Sequence, residues 1–125
     1  MSFAYEISPS GAHVRIVGAD NITTADCVRL VRSVVSNPRC RPDSTALVDL
    51  RAAIYEPRAM EEVISIATTL EMFPSMLGNN IAIVARRATL FYAEIFSAHV
   101  RAATRVPIKV FVELDAAVRF CMGNK

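Results

Sequence analysis

The 125-residue sequence is short of the residues that carry most recognisable chemistry: it has four glycines, three cysteines and two histidines. Among so few glycines there is no Walker loop, no dinucleotide fingerprint and no GxSxG elbow, all of which use glycine for a tight turn or close backbone approach. Cys27, Cys40 and Cys121 are odd in number and far apart, without a CxxC, and His13 and His99 stand alone. That spacing supports neither a redox pair nor a zinc ligand set. The expectation is a non-enzymatic protein with no catalytic residues, no metal and no cofactor. Formal charge is only +2, and Lys and Arg do not gather with aromatics into a stripe, so nucleic acid is not the expected partner. No apolar run reaches the roughly 18 residues of a membrane span. The first residues, Met1 to Ile7, have neither a basic nor an apolar leader region. A reduced cytoplasmic setting follows as the expectation, membrane-peripheral at most.

What is present is apolar. At 53% hydrophobic and 21% charged residues, the chain has enough apolar surface for one packed core, and residues 1–125 read as a single domain. Phe3, Tyr5 and Ile7 alternate with Ala4 and Glu6, the period-two pattern of a half-buried strand. After the turn residues Ser8-Pro9-Ser10-Gly11 a second strand follows, with Val14 and Ile16 inward and His13, Arg15 and Val17 outward. Thr23 reads as the N-cap of a first helix, with Asp26 completing a capping box. Cys27, Val28, Val31, Val34 and Val35 form that helix's apolar stripe, which ends before Asn37-Pro38. The loop to Ser44 carries two arginines and a free thiol at Cys40, and reads as a solvated connector.

The stretch Thr45–Ala59 organises the rest. Ala46-Leu47-Val48, closed by Asp49 and Leu50, reads as a strand buried on both faces. Asp49 and Arg51 then fall at its carboxyl end, where open sheets place their sites, although a backbone cap for Asp49 and an acidic partner for Arg51 are the preferred explanation. Tyr55 and Glu56 rim the same end. A second helix is expected to start with Pro57 at its first position and Glu61 and Glu62 in the first turn. Its core stripe reads Met60, Val63, Ile64, Ala67 and Leu70, with Ile66 and Phe73 off the stripe and Met72 nearly opposite. The following segment, with Met72, Phe73, Met76 and Leu77, is greasy for a connector. A strand over Asn80–Ala85 leads to a third helix over Ala88–Thr104. Its polar positions Glu94, Ser97 and Arg101 fall on one narrow stripe, leaving an apolar arc wider than one sheet face needs. Ile108–Val112 reads as the last strand, before a short helix with Ala116, Ala117, Val118, Phe120 and Cys121.

The order is β-β-α-β-α-β-α-β-α, an α/β (α+β) fold with a mixed five-stranded sheet. That order, with Asn37-Pro38-Arg39-Cys40-Arg41-Pro42-Asp43, Leu47-Val48-Asp49-Leu50-Arg51 and Val110–Ala117, resembles the SpoIIAA-like branch of the STAS fold (sulphate transporter and anti-sigma factor antagonist). Anti-sigma antagonists of this fold carry a phosphorylatable serine in an Asp-Ser-Ser/Thr-Gly turn after the third strand. Here Tyr55-Glu56-Pro57-Arg58-Ala59 offers no serine, threonine or glycine. The resemblance therefore implies the branch without the phosphoserine switch, and no phosphorylation near residues 55–60. For that branch it implies binding of an apolar ligand, lipid or membrane surface between the second and third helices. The residues expected there are Tyr55, Arg58, Met60, Ile64, Met72, Phe73, Met76, Leu77, Phe91, Tyr92, Ile95, Phe96 and His99. Tyr55, Arg58 and His99 are the candidates for an acidic lipid head. The alternative is a protein-interaction module using the same surface. The spare apolar area also predicts a homodimer, or a monomer whose second and third helices cover each other.

Overall fold

The computed structural model describes residues 2–73 and 80–123. Within them run β1 (Phe3–Ile7), β2 (His13–Ile22), α1 (Thr24–Val35), β3 (Thr45–Tyr55), α2 (Met60–Glu71), β4 (Ile81–Val84), α3 (Arg87–Thr104), β5 (Ile108–Phe111) and α4 (Leu114–Cys121). The strands lie side by side in chain order. β1 and β2 are antiparallel, and every later pair is parallel, with a helix in each crossover. The β1–β2 turn depends on Gly11, whose φ of +76° is open to glycine and whose Cβ would sit 2.5 Å from the Arg39 carbonyl oxygen.

Side chains alternate across the pleat. Val48 and Leu50 of β3 and Ile83 of β4 face α1, α2 and α3, whereas Leu47, Ala82 and Val84 face α4. Three helices thus share one face and one short helix holds part of the other. On the α4 side Ala117 and Cys121 are buried against Leu47, Ala82 and Val84.

The expected order, the antiparallel hairpin and the inward Val14 and Ile16 are all found, as is the capping box: Thr23 Oγ1 accepts from Asp26 N–H and Asp26 Oδ2 accepts from Thr23 N–H, each at 3.0 Å. Four expectations need correction. β3 does not close at Leu50 but runs to Tyr55, because β2 is nearly as long and pairs with it past an irregularity between Val17 and Ala19. Asp49 and Arg51 therefore stand mid-strand. α2 starts at Met60 behind an Ala59 N-cap, so Pro57 lies outside it, although Glu61 and Glu62 do occupy the first turn. Ile66 is buried with Val63 and Ala67, since α2 is covered by β3 as well as by its neighbouring helices. On α3 the buried line is Thr89, Ala93, Ser97 and Val100, which takes Ser97 from the expected polar stripe into the interior.

Candidate functional site

One face of the sheet is not tightly closed. α1 has an apolar stripe and a sound cap, yet none of its residues is fully buried. Val48 and Leu50, beneath it, are only partly buried, whereas their neighbours Leu47 and Asp49 on the opposite face are buried. A cavity of about 180 Å³ lies between α1 and the sheet, beside the contacts that Leu30 and Val34 make with the buried cluster of Val14 and Ile16. α1 walls it with Cys27, Leu30, Val31, Val34 and Val35, and the sheet floors it with Ile16, Val48, Leu50 and Ala53. α2 adds Val63, Ile66 and Leu70, and α3 adds Thr89, Tyr92, Ala93 and Phe96. Among the described residues, none of those lining the cavity is an acid, a base or a histidine.

Polar bonds pin α1 near both ends. At its start Thr24 Oγ1 lies 2.9 Å from the Tyr55 hydroxyl and donates to Glu62 Oε1 at 2.6 Å, joining α1, β3 and α2. At its end the Tyr5 hydroxyl lies 2.9 Å from Ser33 Oγ, and Asn37 Nδ2 donates to it at 3.3 Å. Between these ties Cys27, Val28, Leu30, Val31 and Val34 hold the helix by apolar contact. Burial pushes the Tyr55 phenol above its ordinary value and the Cys27 thiol up to about 12. At neutral pH both stay protonated, so Cys27 is a small hydrophobe here and not a nucleophile. The Thr24 hydroxyl holds the Glu62 carboxyl below its ordinary range, assisted by the Arg58 backbone N–H.

Of the expected ligand-binding residues, Tyr55, Tyr92 and Phe96 line the cavity. The Tyr55 and Tyr92 rings meet edge-on with centroids 5.8 Å apart. Met60 and Ile95 pack on the same buried cluster, and Ile64 and Phe73 are half-buried without reaching the lining. Met72 and Phe91 are 61% exposed. Arg58 is exposed, and Met76 and Leu77 lie outside the described residues. His99 is partly exposed and engaged by an acid: its Nδ1 stands 2.7 Å from Glu71 Oε2, tying α3 to the end of α2. Asp49 and Arg51 satisfy each other. Asp49 Oδ1 accepts from the Arg51 N–H at 3.1 Å and Nε at 2.9 Å, and Oδ2 accepts from Nη2 at 2.8 Å. The contribution missed by sequence reasoning is that of α1. Its stripe is visible as Cys27, Val28, Val31, Val34 and Val35, but a stripe over a void and a stripe over a core have the same spacing.

Among the described residues no helix is long and apolar enough to cross a membrane, and no three His, Cys, Asp or Glu side chains group to hold a metal ion. No family model matches the sequence, and no curated protein does. The fold does find a counterpart. The crystal structure of an uncharacterized protein from the DUF3478 family with a SpoIIAA-like fold, from Shewanella loihica PV-4, is similar at a TM-score of 0.58. The likeness covers 96% of this chain and 94% of that one, at 14% identity. The chain has a SpoIIAA-like, STAS-type α/β fold.

Proposed function

We propose that the domain is a non-enzymatic binding module that takes an apolar ligand, a hydrocarbon or an acyl chain, in the cavity beneath α1. The observation that carries this reading is the cavity itself, about 180 Å³ with apolar walls drawn from three helices and the sheet. An engineered apolar cavity of about 150 Å³ stays dry and admits benzene. Each buried methylene contributes about 0.8 kcal/mol, so six give a gross gain of about 5 kcal/mol before the cost of association. Among the described lining residues there is no acid, base or histidine to activate a hydroxyl or thiol directly, which supports binding over turnover.

Native mass spectrometry of freshly purified protein, followed by extraction, tests the proposal directly. An adduct of acyl-chain mass is expected, and it should disappear in Val31→Phe, whose ring would fill the space under α1. Absence of any adduct, together with no binding of a neutral apolar dye, would overturn the reading.

A protein partner, a second copy of the chain or a membrane surface is the competing reading, favoured by the exposed Phe91 and Met72. These two stand apart: Met72 follows Glu71, which pairs with His99, and eight residues of helix, about 12 Å, separate His99 from Phe91. Light scattering at micromolar concentration and liposome sedimentation address it. A dimer lost in Phe91→Ser, with no extractable ligand, would move the assignment to this surface.

A further inference from the structure

The charges around the cavity restrict what can enter it. At the Tyr55 end, the charge tied to the lining is negative: Glu62 accepts from Thr24, whose hydroxyl is bonded to the Tyr55 hydroxyl of the wall. At the opposite end the lining is Cys40 and Ser44, whose Sγ and Oγ lie 3.3 Å apart. The two arginines of that loop are engaged elsewhere: Arg39 Nη2 donates to the Ile7 carbonyl at 3.4 Å, and Arg41 pairs with Asp43 at 3.3 Å. Of the basic groups first considered for an acidic head, His99 is held by Glu71, and Arg58 is exposed and off the lining. Arg86 and Arg87 precede Thr89 at the start of α3, but both side chains are exposed and neither reaches the lining. Thr89 itself donates to the Arg86 carbonyl at 3.2 Å.

We infer that the ligand is uncharged, and that the cavity rejects the anion of a fatty acid while accepting a neutral aliphatic molecule of the same length. This rests on the cavity being the binding site, and it specifies the ligand's class. The physical reason is desolvation. An ionised carboxylate drawn inside these walls would lose its water without gaining, among the described lining residues, a cation to replace it, and the charge it met at the Tyr55 end would repel it. A neutral hydroxyl makes a smaller demand, which Ser44, Thr89 or Tyr55 can meet with one hydrogen bond.

Calorimetric titration of the full chain with n-octanol, octanoate and octylammonium separates the possibilities, because the tail is constant and only the head changes. At pH 7.5 octanol should bind at least about tenfold more tightly than octanoate. Octanoate should gain affinity as the pH is lowered towards 5, where more of it is neutral, while octanol stays level. Val31→Phe should abolish octanol binding and keep the far-ultraviolet dichroism of the wild type. Octanoate binding as well as octanol at pH 7.5 would overturn the inference and leave the cavity reading intact, and loss of that binding in Arg86→Gln/Arg87→Gln would then place the head at the start of α3. Octylammonium binding more tightly than octanol would also overturn it, in favour of a cationic ligand read by Glu62. Failure of all three ligands and of a neutral dye would overturn the cavity reading itself.

Discussion

α1 carries the local signs of a well-made helix and fully buries none of its residues, whereas α3 has no side-chain cap and buries four. Both lie over the same sheet face. A capping box satisfies two backbone N–H groups at the start of α1, and that energy is available wherever the helix sits. Burial of Thr89, Ala93, Ser97 and Val100 requires α3 to lie in one place. Small residues at two of those four positions let α3 approach the sheet, while branched Val31, Val34 and Val35 face a gap under α1. A cap and an amphipathic stripe therefore say that a helix forms and which way it faces, but not how closely it docks.

Truncation gives the largest contrast. Val100 is fully buried, and Val100→Ala should cost about 2–3 kcal/mol from lost transfer energy plus a new void. Val31→Ala removes the same atoms from a wall that already borders a void, and should cost under about 1 kcal/mol. Urea midpoints at unchanged slope measure both. Equal losses would mean that α1 is docked as firmly as α3 and that the cavity is filled in solution.

The cap tests the other half of the contrast. Thr23→Ala should remove about 1 kcal/mol of helix stability. If α1 is held mainly by its own hydrogen bonds and its end ties, the loss should appear as local opening. Amide exchange across residues 24–35 should then speed up by roughly fivefold, with α3 unchanged. A uniform acceleration across both helices would show α1 and α3 opening as one unit.

Much of this was legible beforehand because it depends on neighbours in sequence. The strand alternation in Phe3–Ile7, the Thr23–Asp26 box and the element order need only local spacing. The extent of β3 does not: residues 51 to 55 become strand because β2 pairs with them, a contact between segments some 30 positions apart. The site divides in the same way. Tyr55, Tyr92 and Phe96 could be picked out as aromatics near a strand end and on a greasy helix. The walls supplied by α1 could not, since a wheel reports which residues share a face and nothing about the distance to what that face meets. Ser97 failed for a related reason. A hydroxyl on a helix is ordinarily assigned to solvent, and here it is fully buried.

Ser97 sharpens the comparison at about the scale of one hydrogen bond. Among the described residues its Oγ is the buried side-chain polar atom without a partner. Leaving such a group unpaired costs roughly 1–3 kcal/mol, whereas the methyl of alanine fits the same space. Ser97→Ala should therefore be neutral or stabilising by up to about 1 kcal/mol, the reverse of the usual core substitution. A clear loss of stability would reveal a partner for the hydroxyl in solution and a wetter α3 interface than the packing indicates.

The smallest effect belongs to the opposite face, where Asp49 and Arg51 lie. Hydrogen bonds from the Arg51 side chain hold the Asp49 carboxyl below its ordinary value against the opposing effect of burial, with the Arg51 backbone N–H adding to them. A carboxyl depressed in the folded state contributes stability that is fully present above its unfolded value, about 3.9, and is lost as the pH falls through its folded value. Wild type should therefore lose more stability than Asp49→Asn between pH 4 and pH 2, while the two run parallel from pH 7 to pH 5. Glu62 is also depressed, but it is present in both proteins and cancels in the difference. Octanol affinity should be the same in both, since the pair lies across the sheet from the cavity and Arg51 is well exposed, its side chain 47% accessible. A change in octanol affinity with Asp49→Asn would show that the two faces are coupled through β3 and are not independent regions.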